Sequence, residues 1–521
     1  MATVTQHDDV RRDPRRWWAL SALVASMLVL GFDSTILNVA LPTMARDLGA
    51  STGQLQWMAD AYVVVFASLM LPAGLLGDRF GRRLMLITGL GIFLAGSLAG
   101  FLADGVSGVI AARAVMGIGA ALIMPLALSV LPSLFGADER GRAVGIISAA
   151  SAAGLPLGPI IGGWLLDHFS WGSVFLINVP MAAIGIAACV FLLPESRDPA
   201  SPQVDTVSTA LTATGLGSLI YPIIEAPHRG WGDPLILGLF AAAAVLLTLL
   251  VLRERRSARP MLDLSLLARR GFLLNTLATT LVGFVLSGLM FVVPQYLQAV
   301  LGHDPFATGV RMLPMMGGLL IAARGTAPVV AKFGARAVIS AGLVVLAFAG
   351  FLGSRTSVHD GYGFTALWLS VAGLGFGFAV VPAMDAALGA LPADRAGSGS
   401  GLLSTVRQVG SAIGIALLGS LLASAYTSRL DTSALRGAAA RTASDSVVGA
   451  HAVADRLGDA KLAASANAAF VHSMDLVLLV SGIAALVTAL LAAALLPNQE
   501  PVPARPEENT EVAVAAESTR Q

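Results

Sequence analysis

A single carboxylate inside an apolar run is the first residue that invites chemistry. Asp33 stands in GFDSTILNVALP, with Ser34, Thr35 and Asn38 after it. Apolar surroundings disfavour the ionised carboxyl and a nearby guanidinium favours it, so a group balanced between the two can take up and release a proton. Arg113, in ARAVMGIG, is a cation at matching depth, because the segments carrying the two run in opposite directions. An arginine keeps its own proton and can only bias a neighbouring acid. Two readings of the pair stay open: a proton-handling site and a static charge pair. Asp60 (WMADAY), Arg311, Arg324, Asp385 and Arg407 are the other ionisable groups set in apolar sequence. Such groups are costly in a membrane and are functional candidates by default.

The elements that must hold these groups follow from composition. Hydrophobic residues make up 56% of the 521 and charged residues 12%, where a soluble globule carries about 25% charged. So few charges cannot cover a water-facing surface. A soluble globule, a disordered chain and a coiled coil are excluded, and an all-α integral membrane protein remains. A spanning helix needs roughly 20 apolar residues. Fourteen segments qualify, near 17–43, 56–76, 84–103, 107–133, 143–166, 172–194, 207–226, 235–252, 272–297, 308–330, 336–354, 363–390, 398–425 and 472–496. Arg15, Arg16, Arg79, Arg82, Arg83, Arg140, Arg142, Arg253, Arg255, Arg256, Arg269, Arg270, Lys332 and Arg336 fall in connections on one side. The positive-inside rule makes that side cytoplasmic, with both termini inside. The segment 1–16 is then cytoplasmic. The Ala-rich stretch 426–471 lies outside with room for short helices, and the Pro- and Glu-rich tail 497–521 is expected to be disordered.

Several functions are excluded. A net charge of +1 draws no nucleic acid. Lys332 and Lys461, the only lysines, follow no glycine-rich loop and precede no Ser or Thr, so there is no Walker A site for ATP. Cys189 stands alone, and the seven histidines show no metal spacing. An enzyme reading has no polar cluster to work with, whereas a channel is only disfavoured by the many Gly and Pro interruptions.

Three further patterns bear on mechanism. Gly74-Leu-Leu-Gly77-Asp78-Arg79-Phe80-Gly81-Arg82-Arg83 turns tightly at the cytoplasmic face, and VAKFGAR at 330–336 echoes its second half. Such echoes occur in transporters built from duplicated halves. Gly154, Gly158, Pro159, Gly162 and Gly163 line one segment, where glycines four apart let a neighbouring helix approach closely. Tight packing alone would also account for them.

Together these motifs resemble the major facilitator superfamily, in particular its fourteen-span drug:proton antiporters. The 74–83 loop resembles the family's loop between the second and third spans. The Asp33–Pro42 stretch resembles the first-span motif of the fourteen-span group. Arg113 to Gly119 is similar to the fourth-span motif, with Met116 where glutamine is usual, and Gly154 to Gly163 to the antiporter fifth-span motif. Trp171, Phe175, Asn178 and Pro180 add a family-like start to the sixth span. The resemblance implies a major facilitator fold: six-helix bundles at 17–194 and 272–496 with two extra spans at 207–252. It implies a monomer in the cytoplasmic membrane that exports a lipophilic, cationic drug or antibiotic, driven by protons through Asp33 and Arg113 with no cofactor. Asp60, Asp385 and Asn38 are its cavity candidates; Arg311 and Arg407 would suit an anion instead. A dedicated exporter of one metabolite and a proton-coupled uptake symporter are the alternatives.

Overall fold

The computed structural model describes residues 15–135, 137–197, 205–257, 260, 263–391 and 396–496. The N-terminal arm before residue 15 and the tail 497–521 lie outside the described residues. Each of the fourteen apolar segments falls on a helix, and no strand occurs among the described residues. The helices are α1 (Arg15–Leu48), α2 (Thr52–Phe80), α3 (Arg82–Phe101), α4 (Val106–Ser129), α5 (Ala137–His168) and α6 (Asn178–Leu192). Then follow α7 (Thr206–Arg229), α8 (Pro234–Arg256), α9 (Arg270–Gln295), α10 (Leu313–Phe333), α11 (Ala335–Gly353), α12 (Tyr362–Gly389), α13 (Ala396–Arg429) and α14 (Ala460–Leu495). Among the described residues, twelve helical segments are long and apolar enough to cross a bilayer. A thirteenth counts if Thr52–Met70 and Pro72–Phe80, bent by 53°, form one span. The bend falls at Pro72, which has no N–H to offer the helical ladder.

The chain is folded twice over. Helix α1 packs on α4, α5 and α6, α2 on α4, and α3 on α4 and α6. Each pairing recurs eight helices later: α9 on α12, α13 and α14, α10 on α12, and α11 on α12 and α14. The echo between 77–83 and 330–336 is therefore structural. Gly81 and Gly334 both turn the chain at positive φ, +114° and +80°. The Arg83 guanidinium donates to the Val190 carbonyl near the end of α6, and Arg336 donates to Ala493 near the end of α14.

A second repeat escaped the sequence reading. Gly154, Gly158 and Gly163 of α5 share their spacing with Gly410, Gly414 and Gly419 of α13. A Cβ on Gly158 would lie 2.1 Å from Thr35 Oγ1 of α1, and one on Gly414 would lie 2.4 Å from the Phe284 carbonyl oxygen of α9. In both halves the glycines bring a helix backbone against its neighbour.

The halves join on the face opposite the arginine-rich connections, hereafter the far face. A Cβ on Gly163 would lie 2.4 Å from the Pro305 carbonyl, and one on Gly309 would lie 2.2 Å from that of Pro159. Gln56 Nε2 donates to the carbonyls of Ile415 (3.1 Å) and Ala416 (2.8 Å), and Gln298 Nε2 to that of Val39 (2.8 Å). The 426–471 stretch holds two short helices, for which its sequence left room. Helix α13 runs on to Arg429 and α14 begins at Ala460, with helices Ala438–Asp445 and Val447–Leu457 between them. Thr52 Oγ1 donates to the Asp445 carbonyl at 2.9 Å, tying this cap to α2.

Helices α7 and α8 stand outside the repeat. They pack on each other, and α7 packs on α2 and α13. Asp205 caps α7 through the Val207 and Ser208 N–H groups and pairs with Arg253 at 2.9 Å. Its hydrogen bond to Arg253 holds the Asp205 carboxyl down at about 2, so this tie between the two helices is kept as pH falls through the ordinary carboxylate range.

If α13 repeats the role of α5, Gly414→Val will lower stability by about 1–3 kcal/mol, the usual cost of overpacking. Thermal unfolding in detergent measures this, and an unchanged midpoint would remove the close-approach argument.

Candidate functional site

The structure brings Asp33 and Arg113 into direct contact at the centre of the first half. Arg113 Nη1 lies 2.7 Å from Asp33 Oδ2, with the residues 3% and 1% exposed. Four helices converge on this pair. Asn178, at the start of α6, donates from Nδ2 to Asp33 Oδ1 at 3.2 Å. Arg113 Nε donates to the Met58 carbonyl of α2 at 3.2 Å, and the guanidinium carbon sits 4.3 Å from the centre of the Tyr62 ring. Each charge is thus met by the other and by at least one further group, as a pair removed from water requires.

Met116 does not thin this network. It is fully buried toward α3, where a Cβ on Gly96 would lie 2.8 Å from its Cγ. The partners of Arg113 come from α1 and α2. Tyr62 was missed, although it lies two residues after Asp60 in an aromatic-rich run that could have marked it. Asn178 stood out only as part of the start of the sixth span.

The remaining candidates do not assemble into one cluster. Asp60, fully buried on α2, has no hydrogen-bond partner on either carboxylate oxygen. Asn38 is half-buried and donates to the Ser34 carbonyl at 3.2 Å. Arg407 is half-buried beside Gly283 of α9, with its Nε enclosed and unpartnered. Asp385 is exposed in the last turns of α12, the end that leads to the arginine-rich face. Arg311 sits at the end of the short helix Pro305–Arg311, over the Tyr362 ring at 5.2 Å.

The loop and glycine motifs are placed as packing devices. Asp78 pairs with Arg82 at 2.8 Å, and Arg82 Nη1 donates to the Ser129 carbonyl at the end of α4 at 2.9 Å, where a helix C-terminus favours a cation. Arg79 lies over Phe80 at 5.7 Å. Gly74 faces Pro125 at 3.9 Å, and a Cβ on Gly77 would collide with Leu126 at 2.0 Å, so α2 and α4 approach closely there. A Cβ on Gly81 would meet the Glu195 carboxylate at 2.6 Å. Gly154 and Gly162 fit against Gly31 and Ile36 of α1, while Gly163 and the Pro159 carbonyl fit against the other half.

The duplicated helical fold has counterparts among known proteins. Residues 23–415 match the model of the Major Facilitator Superfamily. The chain belongs to that superfamily. It is 34% identical over 411 residues to the tetracenomycin C resistance and export protein of Streptomyces glaucescens, covering 79% of this chain and 76% of that one. It is 36% identical over 468 residues to a multidrug efflux pump of Mycolicibacterium smegmatis, covering 88% and 92%. A solved structure similar in fold is a bacterial homolog of the human lysosomal transporter Spinster, inward-facing and unoccupied. Its TM-score is 0.67 at 17% identity, covering 93% of this chain and 98% of that one.

Breaking a buried ion pair by removing one partner typically costs about 3–5 kcal/mol. Asp33→Asn and Arg113→Leu should each destabilise by that order, and the double variant by clearly less than the sum. Denaturant unfolding of the four proteins in detergent measures this; additive losses would mean the two charges do not depend on each other.

Proposed function

We propose that this superfamily member is a proton-driven exporter of lipophilic antibiotics or drugs in the cytoplasmic membrane. The relatives support the cargo, being named for tetracenomycin C resistance and export and for multidrug efflux. The Asp33–Arg113–Asn178 site supports the proton role, because it is an enclosed acid whose cationic partner stands on a different helix. While Arg113 Nη1 touches Asp33 Oδ2 it occupies the oxygen a proton would take. A displacement of α4 against α1 removes the cation and favours uptake of a proton. The proton gradient thereby biases the equilibrium between the two directions of access.

Fourteen spans complete this reading, with the 32-residue α5 and the bent α2 each crossing once. The arginine-rich face is cytoplasmic, and 17–194 and 272–496 act as two bundles that rock about the far-face contacts. In the present state the cavity faces the cytoplasm, which is supported by the clustering of the inter-half contacts at the far face. Asp60 is the cavity acid for cationic cargo, as a buried carboxylate with no partner of its own.

Everted vesicles holding the protein test the proposal. Lipophilic cations and antibiotics should dissipate a preformed proton gradient with the wild type and not with Asp33→Asn. Asp60→Asn should selectively slow cations. If Asp33→Asn still couples, the proton site lies elsewhere. If the wild type moves no protons with any compound, the uptake symporter becomes the better reading.

A further inference from the structure

We infer that a membrane-dissolved substrate reaches the cavity sideways, through the seam between α5 and α10, and that the α7–α8 pair seals the matching seam between α2 and α13. This inference rests on the export of lipophilic compounds proposed above.

The internal repeat supplies the comparison. Gly117 of α4 fits against the Tyr62 backbone of α2, and Gly373 of α12 against the Met315 backbone of α10. That register places Ala67 of α2 and Leu320 of α10, each five residues further along, at equivalent positions. Ala67 shares a helix face with Gln56, about three turns away, which bonds to α13, and it clusters with Ala412 of α13. The repeat therefore aims Leu320 at the other half too, where Gly309 of the short helix leading into α10 presses on α5. Ala67 is nevertheless 1% exposed and Leu320 52%.

Helix α7 accounts for the difference. Leu216, Ile220 and Ile223 pack into one apolar cluster with Ala67 of α2 and Ala412 of α13. Ser420 Oγ of α13 donates to the Ile223 carbonyl at 2.5 Å, and the Trp57 ring of α2 lies 5.8 Å from that of Tyr221. Among the described residues nothing equivalent covers the α5–α10 seam. Arg324, one turn beyond Leu320 on the same line, is also exposed. A guanidinium facing only hydrocarbon is costly, so this line borders a wet gap. An apolar rim at Leu320 with a hydrated cation behind it is a place where lipid meets the cavity. It suits a compound that partitions into the leaflet and leaves it apolar body first.

Two measurements test the inference. The first labels Leu320→Cys with a bulky maleimide in a Cys189→Ser background and follows extraction of a bisbenzimide dye, fluorescent in lipid, from reconstituted vesicles. Phe348→Cys, at a 57%-exposed position on α11, is the labelled control. Labelling Leu320→Cys should slow extraction about fivefold or more, with the unlabelled variant and the labelled control near wild type. Equal rates for the two labelled proteins would overturn the portal. The second irradiates the wild type in vesicles holding a diazirine phospholipid and maps adducts by mass spectrometry. Adducts are expected at 317–324 and not at 64–67. Adducts at both segments, or only at 64–67, would overturn the seal. A wild type that extracts no dye counts against export itself, while the adduct map still decides which seam is open.

Discussion

A guanidinium that cannot shed its charge has to be compensated wherever the fold buries it, and Arg113 is buried among helices. The answer draws on four groups from three other helices: the Asp33 carboxylate from α1, the Met58 carbonyl and Tyr62 ring from α2, and, through Asp33, the Asn178 amide from α6. The relative placement of those helices is tied to one cation. The second half has no such pair at the matching positions. At the repeat-related position α12 has Leu369, fully buried, and α9 has Val282 where α1 has Asp33. Duplication supplied a common scaffold, and at these matching positions one copy alone has the acid–arginine pair.

A scaffold of this kind must hold its helices close without locking them. Backbone contact through glycine does so, because it involves no interdigitated side chains that must be withdrawn before one helix slides or tilts on another. Gly154, Gly158 and Gly162 set α5 on α1, and Gly410 and Gly414 set α13 on α9. The same helices reach across to the other half at Gly163 and Gly419. Movement within each half and between the halves is therefore referred to the same two helices.

Much of this was legible in the sequence because hydrophobic length and basic flanks are local properties. All fourteen apolar segments are helices, and Asp33 and Arg113 are partners as their depth suggested. What was not legible depends on which face a residue presents. Met116 is three residues from Arg113 yet turns to α3, and Tyr62 is two residues from Asp60 yet belongs with Arg113. Asp385 looked as embedded as Asp60, but one is exposed and the other enclosed. The glycine repeat in α13 was readable in principle, since its spacing matches that of α5. It went unnoticed because the intervening residues differ and no proline marks the place.

The extra helices make sense against this symmetry. A chain built from two like halves has two like seams, and each exposes the junction between halves to lipid. If both open together, lipid can enter along with cargo, and the wet cavity loses its wall. Helix α7 breaks the equivalence by joining α2 and α13 into one apolar cluster, while α8 turns residues such as Leu237, Val245 and Leu249 outward. The pair adds no charge to the buried acid–arginine site. Its effect is on geometry: it converts a two-sided junction into a one-sided one. The seam left uncovered is joined at its far-face end by glycine and carbonyl contacts and by Asp167 of α5, whose carboxylate accepts from the Phe306 N–H at 3.3 Å, so it can widen toward the arginine-rich face about that end.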